Sequence, residues 1–553
     1  MTQLQLPLDT ETSIQNRFSE VGIEIQSIER RDYPEESIFV VCVTEDDFDR
    51  AAIVGNSLDH ELAGQGFDGF VVVRKAEREV KGVMTRLKDG VQNPKATELV
   101  NLLIARARTS ERQPSLSYVP DTAKNILTAI TPRHHLIFGR RGTGKTALMV
   151  EAKQRVESEG CLSSWINIHT HRGESADRIF VWVCLDVCEQ MQVFYSKKEK
   201  TPRTLASISR LRDDADKLLT KQEIPRDEVS RLVPYMQNAI RRFVDTNATR
   251  FYIFLDDLHY LPSSEQPKLL DLVHGAVRDS DAWLKVAGIR HLTRWFQAKP
   301  PLGLQTGHDA DHIDLDVTLE DPLQAKNFLE QVFLHYAKHV GISSLSSVLS
   351  RAALDRLVLA SGAVPRDYLT LSARAIGQAQ TRKKARFVGV QDVGKSAGDT
   401  AAVKISELEE DTASTETTPN KMIEGLQRIR GFCIDEKDYT FFRIDFRDKE
   451  NHPDTYGIIR ELMDLRLIHL VRASLSDIHE AGRRYEVYML DLSQFSGERL
   501  KLRLKVLDFQ KGYIVFRETG TTTEPKIGNT SKRLSGILRR GPLFELKLLS
   551  NLT

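Results

Sequence analysis

The sequence predicts an α/β fold whose centre is a parallel sheet, with helical and mixed α/β segments on either side of it. Three observations predict this fold class. Continuous apolar runs, typical of strands buried on both faces, recur through the middle of the chain with helical patterns between them. A glycine-rich turn separates the first of these runs from a helix. Near the C terminus, two helical patterns precede a β-ribbon.

Composition indicates a soluble chain of several domains. The 553 residues are 41% hydrophobic and 28% charged, which is enough apolar material for more than one core. The net charge of +1 creates no global field toward nucleic acid or an anionic membrane, so any basic footprint must be local. No run of about 18 apolar residues is present, and the first residues, MTQLQLPLDTETSIQ, lack the pattern of a signal peptide. We therefore expect a cytoplasmic protein with no membrane partner.

The five cysteines do not form a metal-binding pattern. Only Cys184 and Cys188 lie close in sequence, one helical turn apart, and no second pair or histidine cluster has the spacing of a zinc site. We expect buried, reduced thiols.

The N-terminal residues 1–75 predict a small α/β module. Two β-rich runs, SIFVVCV (37–43) and GFVVVRK (69–75), flank an amphipathic helix that begins after Thr44, giving a β-α-β unit. Nothing in this unit indicates catalysis, so protein contact and packing against the next domain both remain open. Residues 76–117 are expected to form a helical and polar connector.

Residues 118–318 predict the parallel-sheet domain. A long charged segment at 178–248 has helical spacing and little glycine or proline, and we interpret it as a helical insertion. The predicted strands are 134–139, 163–170, 251–257, 283–290 and 311–317.

Beyond the sheet, residues 319–410 predict an α-helical subdomain of the size of a lid, and 411–420 a linker. Residues 421–510 have the helix, helix and β-ribbon outline of a winged helix. We expect residues 511–553 to be a looser tail with the basic cluster Lys532, Arg533, Arg539 and Arg540.

The stretch HHLIFGRRGTGKTALMVEAKQ (134–154) predicts a phosphate-binding loop, because strand, glycine-rich turn and helix follow one another around a G-x-x-x-x-G-K-T match. Its glycines allow backbone N–H groups to turn toward phosphates at a helix N-terminus. Lys145 should reach the β- and γ-phosphates, and the Thr146 hydroxyl should bind Mg²⁺. The predicted nucleotide-binding residues are Gly139, Gly142, Thr143, Gly144, Lys145, Thr146 and Ala147.

A second motif, FYIFLDDLHYL, ends an apolar run with two carboxylates. We predict that Asp256 lies on the metal side of the site. Asp257 stands at the position where many ATPases with a phosphate-binding loop carry a glutamate that polarises the attacking water. Aspartate is one methylene shorter, and a displacement of about 1 Å can lower a rate on the order of a hundredfold, so slow turnover is predicted.

Two arginines are candidates for contact with the γ-phosphate. Arg290 and its neighbour His291 follow a predicted strand at the carboxyl edge of the sheet, although an ion-paired surface arginine is an equal alternative for Arg290. Arg366, in SGAVPRDYLTL (361–371), begins a helix of the lid subdomain and could link the lid to the phosphate. For Arg140 and Arg141, inside the loop, exposure to solvent is the default.

The Walker A stretch GRRGTGKT, the Walker B stretch FLDDLHYL, the GIR that ends a strand, the GAVPRDYL turn and the C-terminal winged helix together resemble the AAA+ and STAND branch of P-loop ATPases, with bacterial origin-recognition and initiator ATPases as the nearest likeness. The resemblance runs over roughly residues 118–500. It implies sheet order 5-1-4-3-2, an α-helical lid, ATP and Mg²⁺ as cofactors, ATP-dependent assembly, and often DNA contact through the winged helix.

The resemblance also implies residue roles. Lys145 and Thr146 take the Walker A roles, Asp256 and Asp257 the Walker B roles, and Arg366 that of the lid sensor. The sequence departs from the pattern at Asp257 and lacks an asparagine at the end of the sensor strand. For a trans-acting arginine, Arg278 and Arg294 are candidates.

Two functions remain open from sequence. One is a slowly hydrolysing, DNA-associated ATPase that assembles on binding ATP. The helix TYGIIRELMDLRLIHLV, however, carries two arginines (Arg460, Arg466) against Glu461 and Asp464, so packing against protein is an equal reading of the winged helix. Duplex DNA stays a candidate partner because the wing and tail carry basic residues. They are Arg472, Arg483, Arg484, Lys532, Arg533, Arg539 and Arg540. The other is a signalling or defence switch that recruits a protein effector without DNA.

Overall fold

The computed structural model describes residues 9–32, 37–44, 47–64, 69–75, 90–106, 109–111, 118–120, 124–197, 203–411, 419–496 and 501–552. They form two compact units, residues 1–85 and residues 86–553. Among the described residues, no helix is long and apolar enough to cross a bilayer. Within the same ranges, no group of three histidine, cysteine or acidic side chains is placed to hold a metal ion.

The N-terminal unit contains the predicted β-α-β element and two further elements. β2 and β3 are parallel, with α2 between them in sequence, and β1 pairs antiparallel with β2. The sequence interpretation did not include α1 and β1, which precede the β-α-β element. The elements are α1 (Asp9–Glu20), β1 (Ile25–Asp32), β2 (Ser37–Val43), α2 (Phe48–Gly64) and β3 (Gly69–Lys75).

The second unit is built around a five-stranded, all-parallel sheet. Its order is β10-β4-β7-β6-β5, which is 5-1-4-3-2 when the five strands are numbered along the chain. This confirms the predicted fold class. The strands are β4 (His134–Phe138), β5 (Leu162–Asn167), β6 (Phe251–Asp256), β7 (Ala282–Gly288) and β10 (Ala310–Asp314), and β8 (Phe296–Ala298) and β9 (Pro301–Gly303) form a separate hairpin.

Both faces of the sheet are covered, which explains the unbroken apolar runs. All six residues of β6 are buried. Ile253 and Leu255 belong to the core under α6 to α9, whereas Tyr252 and Phe254 belong to the core under α4 and α5. The helices are α4 (Asn125–Ala129), α5 (Lys145–Ser158), α6 (Ala176–Ser196), α7 (Arg203–Leu219), α8 (Arg226–Asn247) and α9 (Gln266–Val277).

Four helices after the sheet form the lid, and a fifth helix joins them from before the sheet. In α3 (Pro94–Ala105), Leu99 and Leu103 are buried in the same core as the lid helices. This part of the predicted connector is therefore a structural element of the lid, while residues 76–89 lie outside the described residues. The lid helices are α10 (Pro322–His339), α11 (Arg351–Ala360), α12 (Pro365–Gln380) and α13 (Val390–Asp411).

The C-terminal domain has the element order of a winged helix. A helix and a strand precede two helices, and a β-hairpin then completes a three-stranded antiparallel sheet of order β11-β13-β12. Residues 412–418, most of the predicted linker, lie outside the described residues. The elements are α14 (Pro419–Arg430), β11 (Phe441–Asp445), α15 (Phe446–Asn451), α16 (Pro453–Asp464), β12 (Ile468–Ser476) and β13 (Arg484–Leu490).

The prediction of a loose basic tail is wrong. After the winged helix the chain forms a second three-stranded sheet, a helix and a terminal 3-10 segment, Leu546–Leu552. Buried residues of that 3-10 segment pack in the core of α14 and α16. Alternating apolar residues in short strands were the sequence signal for this sheet. The elements are β14 (Lys505–Gln510), β15 (Tyr513–Glu518), β16 (Lys526–Ile527) and α17 (Ser531–Leu538).

Two adjacent leucines test whether the C-terminal segment is part of the winged-helix core. Leu549 is fully buried, whereas Leu548 is 44% exposed. We expect Leu549→Ala to lower the free energy of unfolding by about 2–5 kcal/mol, because the cavity adds to the lost burial. Leu548→Ala should change it by less than about 0.5 kcal/mol. Calorimetric melting of the two variants measures the difference, and equal melting temperatures would contradict the packing.

Candidate functional site

The predicted phosphate-binding loop lies between β4 and α5 and has the backbone shape that phosphate binding needs. Gly142 has φ +82 and Gly144 has φ +102, both in the left-handed region that favours glycine. A Cβ on Gly142 would lie 2.8 Å from the Cβ of Arg366, so the close approach of the lid also requires glycine there. Gly144 caps α5, so the loop turns directly into a helix N-terminus.

Lys145 and Thr146 point in different directions from this helix start. Lys145 is buried, and its Nζ donates to the carbonyl oxygens of Gly139 at 2.8 Å and Arg140 at 3.1 Å. Burial lowers the pKa of Lys145, and the carboxylates of Asp257 and Asp256 oppose that change. The Thr146 hydroxyl donates to Oδ2 of Asp256 at 2.9 Å. The structure therefore brings the Walker A and Walker B residues together.

Asp256 is suited to hold a cation. It is buried at the end of β6, and its Oδ1 has no hydrogen-bond partner in the described part of the chain. Burial, and then the charge of Asp257, raise the pKa of the Asp256 carboxyl to about 7. A buried carboxylate in this state lacks compensating positive charge, and carboxylate and hydroxyl oxygens are ligands that Mg²⁺ accepts. The pair Thr146 and Asp256 thus fits a Mg²⁺ ion.

Asp257 faces the cavity instead. Its backbone has φ +60, which redirects the chain after β6, and its side chain lines a cavity of about 580 Å³. Asp256 itself is not part of the cavity lining. The two neighbouring carboxylates therefore occupy separate environments: Asp256 is buried against Thr146, and Asp257 lines the cavity.

The cavity is lined by both polar and apolar side chains. The phosphate loop, several basic side chains and Asp257 form the polar lining. Apolar and aromatic side chains come from the lid, from the segment that follows β10, and from the segment before α4. Sequence reasoning missed these apolar residues, since they are far apart along the chain; they are Tyr118, Val119, Leu315, Val317, Phe328, Val332, Tyr336 and Leu369.

The polar lining contains further residues that were not predicted from the sequence. Asn167 ends β5, which pairs with β6 so that Asn167 lies opposite Asp256, and His169 and Arg172 follow that strand. His259 lies in the turn after Asp257, and its Nδ1 is buried with no hydrogen-bond partner among the described residues. Burial, and then the charges of Lys145 and Arg141, lower the pKa of His259 well below its usual value. The sequence signal for His169 and Arg172 was their position just beyond a strand at the carboxyl edge of the sheet.

Arg366 lies where the lid meets the phosphate loop. Its backbone N–H donates to the Gly142 carbonyl at 3.2 Å, and its side chain lines the cavity. The preceding residue, Pro365, is the first residue of α12, so the lid turn delivers Arg366 at a helix start. The predicted lid residue is thus in direct contact with the loop.

We expected Arg140 to be exposed to solvent, but the structure buries it. Its Nε donates to Asp316 Oδ1 at 3.2 Å. Its Nη2 donates to the carbonyls of Val317 at 2.9 Å and Gly362 at 3.4 Å. Because Asp316 and Val317 follow β10 and Gly362 precedes α12, this one guanidinium ties the phosphate loop to the end of the sheet and to the lid. Arg141 lines the cavity, with its guanidinium 5.8 Å from the ring centre of Tyr260.

Neither Arg290 nor His291 lines the cavity, so the geometry does not support a phosphate contact by either. Arg290 is half-exposed and donates to Asp314 Oδ2 at 3.4 Å, with its guanidinium over the Phe138 ring. The ion-paired alternative describes it. His291 instead contacts Asp464 of the winged helix through Nδ1.

The winged helix contacts the parallel-sheet domain and the lid through the end of α16, Arg466 and β12. Arg466, which follows α16, is buried and donates to Asp367 Oδ1 at 2.5 Å, next to Arg366. Gly362 of the lid turn approaches His469 of β12 so closely that a Cβ there would lie 2.0 Å from Nδ1. His469 and Lys404 share the carboxylate of Asp491, at 2.7 Å and 2.8 Å. Arg466 is therefore an interdomain contact, and the DNA-reading role considered for it does not fit this arrangement.

Little of α16 is open to solvent. Within the helix, Pro453, Asp454 and Arg460 are exposed and the other residues are buried or partly buried. At its C-terminal end, burial raises the pKa of Asp464 to about 8, with a further contribution from Asp316, and burial lowers the pKa of His291 to about 4. Both shifts favour a neutral pair in which the Asp464 carboxyl donates to His291.

The comparisons with solved structures found similar chains at low sequence identity. A solved Walker-type ATPase of Pyrococcus abyssi is 13% identical, with 69% of this chain and 98% of that chain covered and a TM-score of 0.40. The Orc1 protein of Aeropyrum pernix, solved in complex with DNA, is 16% identical, with 71% and 93% covered and a TM-score of 0.36. For AMPPCP-bound DnaA from Aquifex aeolicus the values are 11% identity, 64% and 86% coverage, and a TM-score of 0.27. No curated protein matches the sequence.

The sequence model of the family described as ORC-CDC6-like matches residues 197–421, fewer than half of the chain. The matched segment includes the Walker B strand and the lid turn, and the Walker A loop precedes it. The resemblance predicted from the motifs is thereby confirmed: over residues 197–421, this chain is similar to the ORC-CDC6-like proteins.

Proposed function

We propose that the protein binds ATP with Mg²⁺ and hydrolyses it slowly, and that the bound nucleotide controls the position of the winged helix. The observation that carries the proposal is the site itself. Lys145 and Thr146 line a cavity of about 580 Å³ that also has apolar and aromatic lining, and Thr146 donates to the buried Asp256. The polar lining suits a triphosphate and the apolar lining suits a purine base.

Each part of the loop has a defined task in this proposal. The N–H groups around Gly142 and Gly144 donate to phosphate oxygens, and Lys145 exchanges its two carbonyl contacts for phosphate oxygens. Bound Mg²⁺, held by Thr146 and Asp256, would neutralise phosphate charge. Asp257, at the cavity surface, orients the attacking water and accepts its proton. Its shorter side chain supports the proposal of slow turnover.

The switch follows from how the lid turn is held. Arg366 contacts the loop through Gly142, while the next residue, Asp367, receives the buried guanidinium of Arg466. A movement of Arg366 toward a γ-phosphate would therefore act on the contact that holds the winged helix. In the docked arrangement Arg466 and His469 are held against the lid turn, so nucleotide-dependent undocking would change the surface available to a partner or to a second copy of the chain.

DNA is the partner that we propose first. The Orc1 structure to which this chain is similar contains DNA. The residues that support DNA contact here are outside α16, on the wing and on or just after the C-terminal helix α17. Those that are exposed are Arg484, Lys532, Arg533 and Arg540. Recruitment of a protein effector is the second candidate. The observation that favours it is that a basic residue of the wing is already ion-paired, since Arg483 pairs with Asp445 and Glu480.

Removal of the loop lysine tests the proposed function. We expect Lys145→Ala to weaken ATP binding by at least about tenfold and to abolish hydrolysis, because the variant leaves phosphate charge without its cation. Lys153→Ala, which removes a lysine from the same helix but outside the cavity, is the matched control. Calorimetric titration with ATP and Mg²⁺, and steady-state phosphate release, are the measurements.

The same assay with duplex DNA separates the two partner classes. Turnover that rises with DNA, and binding that falls steeply with salt, would support the DNA proposal. Turnover indifferent to DNA would favour the effector. Equal phosphate release by wild type and Lys145→Ala would contradict hydrolysis at this site.

Substitution of Asp257 tests its assignment as the residue that orients water. Asp257→Asn should leave ATP affinity within about threefold and reduce turnover by on the order of a hundredfold, as for loss of a general base. Asp257→Glu restores the longer side chain and should raise turnover above wild type. Loss of binding in the Asn variant, instead of loss of turnover, would assign Asp257 a binding role.

The docking of α16 should depend on pH through Asp464. Docking raises the pKa of this carboxyl to about 8, so the docked form holds a proton that the free form has lost. Docking is therefore expected to weaken as pH rises from about 4 to about 8, and its strength should not change further above pH 8. Wild type should lose stability relative to Asp464→Asn over that range, on the order of 1 kcal/mol per pH unit. The Asn side chain keeps a donor to His291 without titrating.

Calorimetric melting of both proteins from pH 5 to pH 9 gives the difference, in which contributions of other groups cancel. Parallel profiles for the two proteins would contradict a protonated Asp464 in the docked form.

A further inference from the structure

The polar lining of the cavity contains a cation, Arg172, that has no role in the proposed function. Arg172 lies five residues beyond β5 and lines the same cavity as Lys145 and Asp257. Its guanidinium stacks over Tyr260, 4.2 Å from the ring centre. Among the described residues, Arg172 makes no salt bridge, although Glu174 is two positions away.

The turn that holds Arg172 is anchored on both sides. Glu174 accepts from His171 at 3.0 Å and lies within ion-pair distance of Arg178, so that acid is already engaged. The Glu174 N–H donates to the His171 carbonyl, and Ser175 caps α6 by accepting from the Arg178 N–H. The backbone on either side of Arg172 is therefore fixed, and its guanidinium rests on an aromatic face with its N–H groups available in the cavity.

The surroundings of Tyr260 indicate an anionic occupant. Arg141 also approaches the ring, and the His169 ring contacts it edge to face at 4.5 Å. His259, the residue before Tyr260, lines the cavity with a buried Nδ1 that lacks a hydrogen-bond partner among the described residues. Arg141, Arg172 and His169 thus surround Tyr260, and the unsatisfied buried nitrogen of His259 lies in the same cavity as Asp257.

We propose that Arg172, supported by Tyr260, is a γ-phosphate contact supplied by the same chain and that it discriminates ATP from ADP. The inference rests on the proposed function, because it requires a nucleotide in this cavity with its phosphates beside Lys145. A guanidinium can donate to two oxygens of one phosphate group, which suits recognition of the terminal phosphate.

Binding of ADP and of the non-hydrolysable analogue AMPPNP, each with Mg²⁺, tests the proposal by calorimetric titration of the full chain. We expect Arg172→Ala to weaken AMPPNP binding by about tenfold or more while ADP affinity changes by less than about twofold. Arg172→Lys, which keeps the charge but not the planar donor set, should be intermediate. Tyr260→Leu, which removes the supporting ring, should also reduce the preference for AMPPNP.

Arg231→Ala is the matched control, since Arg231 is an exposed arginine of the helical insertion and is not in the cavity lining. Retained ADP binding shows that each variant is folded. An equal loss for both nucleotides, or no loss for AMPPNP, overturns the assignment of Arg172. Sedimentation at the concentrations used identifies the monomer, and a preference for AMPPNP that appears only in oligomers would move the cation to another copy and also overturn it. If wild type binds neither nucleotide, the proposed function fails and this inference fails with it.

Discussion

The buried guanidinium of Arg140 is the contact on which the arrangement of the site depends. It is one residue into the phosphate loop, and it donates to groups that follow β10 and to the carbonyl of Gly362 in the lid turn. A buried arginine is stable only when its donors are satisfied, so the loop, the edge of the sheet and the lid turn must hold these positions together. The shape of the loop is consequently a property of three segments and not of the glycines alone.

The same lid turn connects the site to the winged helix. Gly362 meets both Arg140 and His469, and Asp367 meets Arg466 while its neighbour Arg366 meets the loop. Positions a few residues apart on one turn therefore touch the phosphate loop on one side and the winged helix on the other. Coupling between sites requires contacts of this kind, in which one element is biased from both ends.

The two aspartates of the second motif illustrate how the fold separates similar groups. Asp256 ends β6 and accepts from Thr146, while the left-handed backbone of Asp257 carries the next carboxylate to the cavity surface. Burial raises the pKa of the Asp256 carboxyl, and the charge of Asp257 adds to this effect. Adjacent residues of the same type are thus given different environments, one buried against Thr146 and one at the cavity lining.

The sequence by itself determined the parallel α/β core, because strands buried on both faces leave continuous apolar runs and the phosphate loop has a local backbone requirement. Local pattern also brought Lys145, Thr146, Asp256 and Arg366 into consideration, and the structure places them around one loop. Only the tertiary structure decided the rest. Arg140 is buried against partners more than a hundred residues away, and Arg290 pairs with Asp314 from another strand. Packing against other elements covers α16 and folds residues 505–552 onto the lid and winged helix. Hydrophobic periodicity reports which face of a segment is buried but does not report what covers it, and charge composition does not distinguish a solvated arginine from one that is satisfied inside the protein.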